Sequence, residues 1–285
     1  MKTIGNLLLF LGACCLAARA DAGTLYAATS AGGAGELYII NQATGAVVQD
    51  VGPLNDSSGL NYPITGLAFG PGGNLYGSSG NSVAASQAKL VKINPATGLV
   101  LPIGSFNAGP VNSGGDPSTM ADIDFDAAGN LYGVASIGGP HLYSINTSTG
   151  QATVVGSTGL TSTSGGGLAI GGGNFFGSPT STRFGTYNSG TGAFTNITNP
   201  AKPVGGGYAA LAFDGSILYG LDLGPGSSGD PTHLVTFDTT TGAVTDVAAS
   251  VNKLDAIAFA VPEPSSVVLG FVALLGFVSG RKNPR

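Results

Sequence analysis

Gly66-Leu-Ala-Phe-Gly-Pro-Gly-Gly-Asn-Leu-Tyr-Gly77 decides the fold, because most of this stretch recurs. Its first half returns as Asp122-Ile-Asp-Phe125, Gly167-Leu-Ala-Ile170, Ala210-Leu-Ala-Phe213 and Ala256-Ile-Ala-Phe259. Five or six residues after the first four of these comes a second apolar run: Leu75-Tyr-Gly77, Leu131-Tyr-Gly133, Phe175-Phe-Gly177 and Leu218-Tyr-Gly220. A third run ends in a turn of pattern Asn/Asp-x-x-Thr-Gly, found at 41–45, 94–98, 146–150, 188–192 and 238–242. Asn or Asp bonds backbone two residues on, and Gly takes the positive φ that closes a bulged hairpin. A fourth run follows, such as Ala152-Thr-Val-Val155 or Ala243-Val-Thr-Asp-Val247.

Four short antiparallel strands per unit, at spacings of 42 to 56 residues, predict β-propeller blades. The first unit begins in mid-blade, with Leu25-Tyr-Ala27 in the second position. Its missing inner strand is the orphan Leu254–Ala260 from the other end of the chain. Joining the two predicts an all-β, five-bladed propeller over residues 23–260, closed by N- and C-terminal strands. Closure removes sheet edges. A β-sandwich or two-domain arrangement leaves the orphan strand unexplained.

Flanking segments carry addresses rather than chemistry. Lys2, an apolar core from Ile4 to Leu16 and a small-x-small site at Ala18-Arg19-Ala20 or Ala20-Asp21-Ala22 make residues 1–22 a secretory signal peptide. Leu11-Gly-Ala-Cys14 weakly resembles a lipobox, which would place an acyl chain on Cys14. Cys14 and Cys15 are the chain's two cysteines, so the exported domain holds no disulfide and relies on its core. Residues 261–285 run from Pro262-Glu263-Pro264 through an uncharged stretch to Arg281-Lys282-Asn-Pro-Arg285. Basic residues resist crossing a bilayer and act as a stop signal. Sixteen uncharged residues are short for a span, which needs about 20.

This tail resembles the PEP-CTERM sorting signal of Gram-negative bacteria that make extracellular polysaccharide. The resemblance covers residues 261–285, where triplet, apolar run and basic end match in order. It implies export through the inner membrane, an apolar C-terminal helix, and an exosortase-type enzyme as partner. Cleavage near the triplet would then release or attach the protein at the cell surface. A plain C-terminal membrane anchor is the alternative, but it gives the triplet no role.

Composition narrows the chemistry. Charged residues make up 9% of the chain and Gly contributes 49 residues. Residues 23–264 hold five basic side chains (Lys89, Lys92, Arg183, Lys202, Lys253) against fourteen acids, a net charge of −9. Such a surface repels phosphate backbones, so nucleic acid is not an expected partner. No P-loop, nucleophile elbow, catalytic Cys or zinc spacing is present. Trp is absent, which counts against Trp-docked blade types; the nine tyrosines remain able to stack on sugars.

The inner-strand motif has Ala in its third position at Ala68, Ala169, Ala212 and Ala258, and Asp124 breaks that rule. With Asp122 and Asp126 it puts three carboxylates at strand period on one face. Two outcomes are open. A Ca²⁺ ion satisfies all three, or Asp126 caps its turn while Asp122 and Asp124 bond backbone or channel water. The second is favoured, since the Ca²⁺-loop Gly and Glu are missing. No metal is assigned and no cofactor is expected.

Each third strand opens on a polar residue: Glu36, Lys89, His141, Arg183 and His233. The two histidines fall in non-neighbouring blades, a poor geometry for a metal or acid–base pair. Loops following second and fourth strands are long and variable, and such loops usually carry recognition. They nominate Tyr62, Phe106, Asn107, Asp116, Asp222 and Asp230 as ligand contacts. The function expected is a surface-sorted propeller that binds, or builds, an extracellular polysaccharide matrix without catalysis. The alternative is a glycan-active hydrolase or lyase using Asp124. A second carboxylate or Tyr beside Asp124 at the axis would favour it.

Overall fold

The structure, a computed structural model, describes residues 23–260 apart from 31, 108–118, 136–139, 162–165, 181 and 225–229. The predicted sorting signal, its helix and the signal peptide lie outside the described residues. Within them, every regular element is a strand. Five four-stranded antiparallel sheets follow one another around a ring.

Blade II shows the plan: β4 (Ile64–Phe69) is innermost, then β5 (Leu75–Ser79), β6 (Lys89–Ile93) and β7 (Val100–Ser105). Blade III repeats it with β8 (Met120–Phe125), β9 (Leu131–Ala135), β10 (His141–Ile145) and β11 (Ala152–Ser157). Blade IV has β12 (Leu168–Gly171), β13 (Asn174–Thr180), β14 (Arg183–Tyr187) and β15 (Phe194–Thr198). Blade V has β16 (Tyr208–Asp214), β17 (Ile217–Asp222), β18 (Pro231–Phe237) and β19 (Val244–Asn252). Blade I joins the two ends: β20 (Leu254–Ala260) is innermost, followed by β1 (Thr24–Thr29), β2 (Glu36–Ile40) and β3 (Val47–Pro53). β20 pairs with β1 from Thr24↔Ala260 to Thr29↔Leu254, the closure the sequence predicts.

The core is divided into wedges between blades. Leu25, Leu221, Leu234 and Ile257 pack between blades V and I, and Leu37, Ile64, Leu75 and Val91 between I and II. The Leu-Tyr-Gly motif serves these wedges. Its Leu is buried, while its Gly leaves room for the large third-strand residue opposite. A Cβ on Gly177 would stand 2.2 Å from the Tyr187 ring, and one on Gly220 2.7 Å from Phe237.

The motif's aromatic ring reaches across to the next blade. Tyr26 meets Phe69 at 5.4 Å, Tyr76 meets Phe125 at 5.4 Å, Phe176 meets Phe213 at 5.7 Å and Tyr219 meets Phe259 at 5.1 Å between centroids. Blade IV has Ile170 at the Phe position, and there Tyr132 packs edge-on against Phe175 instead. Tilted and edge arrangements of this kind suit the ring quadrupoles.

The five Thr-Gly turns join the blades as well as reverse the chain. In each, the Asn or Asp side chain accepts the amide two residues on, as Asn41 Oδ1 does from Ala43 at 2.9 Å. The closing Gly has φ between 66° and 78°. A Cβ there would strike the preceding blade: Ala249 for Gly45, Pro53 for Gly98, Gly104 for Gly150, Gly156 for Gly192 and Thr198 for Gly242. Fourth strands form the outer rim and expose apolar side chains such as Val48, Leu101 and Val154. Pro102, within β7, blunts one of those edges.

Candidate functional site: the axial pit

Inner strands present one edge to the axis. Gly70 N bonds Asn74 O, and Asp126 N bonds Asn130 O. Ladder alternation then turns the N–H and C=O of Phe69, Leu67, Phe125 and Ile123 away from the second strand and toward the axis. An unpaired row of polar backbone groups in a packed centre is costly, and blade III supplies carboxylates that meet it. Asp122 Oδ1 accepts from its neighbour Ile123 N at 2.9 Å, and Oδ2 accepts from Leu168 N at 2.9 Å and Leu211 N at 3.1 Å. One side chain thereby ties blades III, IV and V. Asp124 repeats the device one step along, accepting from Phe125 N at 2.8 Å and Ile170 N at 2.6 Å. Asp126 caps its turn, accepting from Ala128 N, Asn130 N and Asn130 Nδ2.

These oxygens are therefore engaged by amide donors, and among the described residues no three His, Cys, Asp or Glu side chains cluster to hold a metal ion. Burial pushes the Asp122 carboxyl well above its ordinary range, opposed by the three amides that favour the carboxylate. Burial pushes Asp124 up to about 7, opposed by the Ile170 and Phe125 amides. Asp126 sits low, because its turn donors outweigh its slight burial.

Asp124 also opens onto a cavity of about 760 Å³ at the end of the axis where the first strands finish. Leu67, Ala68, Leu211, Ala212 and Ala258 form its wall; Phe69, Phe125, Ile170, Phe213 and Phe259 form its lip, one from each blade. Gln42, Asp214, Ser216 and Tyr219 stand at the rim. Below the cavity the Asp122 side chain spans the axis to Leu168 and Leu211, and neighbouring inner strands meet backbone to backbone. A Cβ on Gly66 would lie 2.7 Å from Asp122 Cα, and one on Gly167 2.6 Å from Ala210 C. Asp122 below is fully buried. The cavity is thus a pit, not a through-channel.

A second carboxylate and a Tyr do share the pit with Asp124. Asp214 Oδ1 accepts from Gly23 N at 3.1 Å, which anchors the start of the domain to the rim. Tyr219 is raised by burial and by the charge of Asp214.

The long-loop side differs from expectation. Tyr62 and Phe106 are 1% and 0% exposed and so are not available as contacts. Tyr62 fills the wedge between blades I and II, its hydroxyl donating to Asp56 Oδ2 at 3.2 Å. Phe106 fills the wedge between blades II and III, and its backbone bonds Ala88 O and Ala152 N. Asp222 is also buried; its Oδ1 accepts from Gly206 N and Gly224 N, both at 3.1 Å, while Oδ2 has no partner. These loops fold back to plug gaps between blades, so their aromatic residues belong to the core. An aromatic residue at the edge of a polar loop was the signal for this. Asn107 is exposed with φ of 45°, Asp230 is half-buried, and Asp116 lies outside the described residues. His233 Nδ1 meets Asp246 Oδ1 at 3.0 Å on the rim, and His141 packs against Tyr143 in another blade.

The class this geometry defines is the five-bladed β-propeller. The chain is similar to the solved Nidogen/Laminin complex, at 17% identity over 84% of this chain and 98% of that one, with a TM-score of 0.50. It is also similar to a PQQ-bound aldose sugar dehydrogenase from Streptomyces coelicolor (15% identity, 71% and 86% covered, TM-score 0.43) and to a putative gluconolactonase (14%, 82% and 80%, 0.47). At these identities the likeness extends to fold alone. No family model and no curated protein matches the chain.

Proposed function

We propose that this chain is an exported propeller, sorted to the cell surface by residues 261–285, that acts by binding within an extracellular polysaccharide matrix. The address rests on the signal peptide and on the PEP-CTERM resemblance. The binding role rests on one observation: among the described residues the pit's only ionisable group below its rim is Asp124, both of whose oxygens already accept amides. A hydrolase needs an acid and a base placed on either side of a scissile bond. Asp214, by contrast, is tied to Gly23 N at the rim.

The pit shares its side of the ring with Ala260, the last described residue. A tethered tail would hold the pit toward the membrane, and a released protein would present it freely. A glycan-active enzyme is the second reading, favoured by Asp214 and Tyr219 at the rim of the same pit and by an Asp124 raised toward 7, the profile of a general acid.

Two measurements test these statements. Mass spectrometry of surface-extracted protein should find new ends near residue 22 and near Pro262–Pro264; an intact C-terminus would remove the sorting role. Incubation of purified protein with the producer's own polysaccharide should release no new reducing or unsaturated ends. Release that disappears in Asp124→Asn would establish the enzyme instead.

A further inference from the structure

We propose that the axial pit is a site for a protonated or quaternary amine, held between the lip phenylalanines with the Asp124 carboxylate behind it. The lip supplies rings from four blades: Phe69, Phe125, Phe213 and Phe259. Each packs against an aromatic partner from a neighbouring blade, so the lip is set before any ligand arrives. Ring faces attract cations, most strongly where water is excluded. The wall side chains beneath are aliphatic and carry no charge, with the backbone N–H and C=O of Leu67 and Phe69 facing the axis between them.

Charge points the same way. Among the described residues no Lys, Arg or His lines the pit, so none of them competes with an incoming cation or neutralises Asp124. The titratable groups around Asp124 are Asp122 on its own strand, Asp126 in the following turn, Tyr132 opposite on β9, and Asp214 and Tyr219 at the rim. β4 and β12, packed on either side, carry none. Every group in this set is acidic or neutral, so the field favours a positive ligand and repels uronic or phosphate groups. The two amides on Asp124 leave further lone pairs on each oxygen for an N⁺–H donor.

The amine has two possible sources: a small organic cation, or an amino sugar at the end of a matrix polysaccharide. A closed pit accepts a chain end and not a chain middle. Only the amino-sugar source rests on the matrix reading above; the small-cation source stands without it.

Calorimetry on the purified protein, with tetramethylammonium and propylammonium as probes, tests the site. A glucosamine oligomer and its N-acetylated counterpart, compared at pH 7, separate the sources. Because burial holds Asp124 near 7, affinity for tetramethylammonium should rise about tenfold from pH 5.5 to pH 8.5 as the carboxylate forms. Asp124→Asn should abolish that rise. Phe213→Leu, a gentler change, should weaken binding about fivefold. The exposed rim variant Leu101→Thr should bind as wild type. Binding of the small cations alone, or of the glucosamine oligomer but not its acetylated form, assigns the source and upholds the proposal. No binding of any amine at pH 8.5 overturns it. So does equal binding of acetylated and free-amine oligomers, or affinity unchanged in both Asp124→Asn and Phe213→Leu.

Discussion

The two sides of this ring follow opposite rules. On the tight-turn side the sequence is strict, with a Phe closing the inner strand in four of five blades, short loops and the same Thr-Gly closure from blade to blade. That side holds the pit. On the long-loop side the sequence varies freely, yet Tyr62, Phe106 and Asp222 are buried there. Loop length signals freedom only when the loop lies on the surface. Here the blades splay apart away from the axis, and connections must fill the gaps. Regular repetition, in turn, converges five equivalent residues on one axis, and a single departure in one blade makes that axis asymmetric.

The largest expected effect concerns what both sides share. Deleting residues 254–260 removes the inner strand of blade I and exposes two edges, so the domain should fail to fold. Deleting 265–285 should leave its thermal transition in place. Circular dichroism melts compare the two, and a cooperative transition in the first deletion would break the closure argument.

Next, Phe106→Ala should cost about 3–5 kcal/mol by urea denaturation, as for other buried aromatic truncations. A cost below about 1 kcal/mol would return Phe106 to the role of a surface contact. Asp122→Ala should cost about 2–4 kcal/mol, because it leaves the Leu168 and Leu211 amides unpaired in the interior.

Asp124 gives a smaller, pH-dependent effect of defined sign. Burial holds it at about 7 in the folded state, above the ordinary Asp value of about 3.9, so the native state binds the proton more tightly. Its contribution is fully present below about pH 4 and is lost as pH rises through 7. The whole shift corresponds to at most about 4 kcal/mol, reduced because the carboxyl is open to the cavity. Stability of wild type should fall from pH 4 to pH 8 relative to Asp124→Asn; parallel curves would show that the site is not buried enough to matter. Smallest of all, Leu101→Thr on the exposed rim should change stability by less than about 0.5 kcal/mol.

The sequence alone determined the architecture. Blade count, strand order and ring closure were legible because each strand had to alternate, turn and repeat locally, and because one orphan strand had one vacancy to fill. The Asp126 cap was legible for the same reason, since its partners lie within four residues. The partners of Asp122 and Asp124 were not. Leu168 and Leu211 stand 46 and 89 residues from Asp122, and only the convergence of three inner strands brings their amides to it. The pit was hidden likewise. Its lip is one Phe or Ile per blade, each an ordinary core residue in sequence, and the cavity exists because five wedges meet without filling their centre. Burial of the loop residues was also a tertiary decision, since a loop's exposure depends on which gap its neighbours leave open.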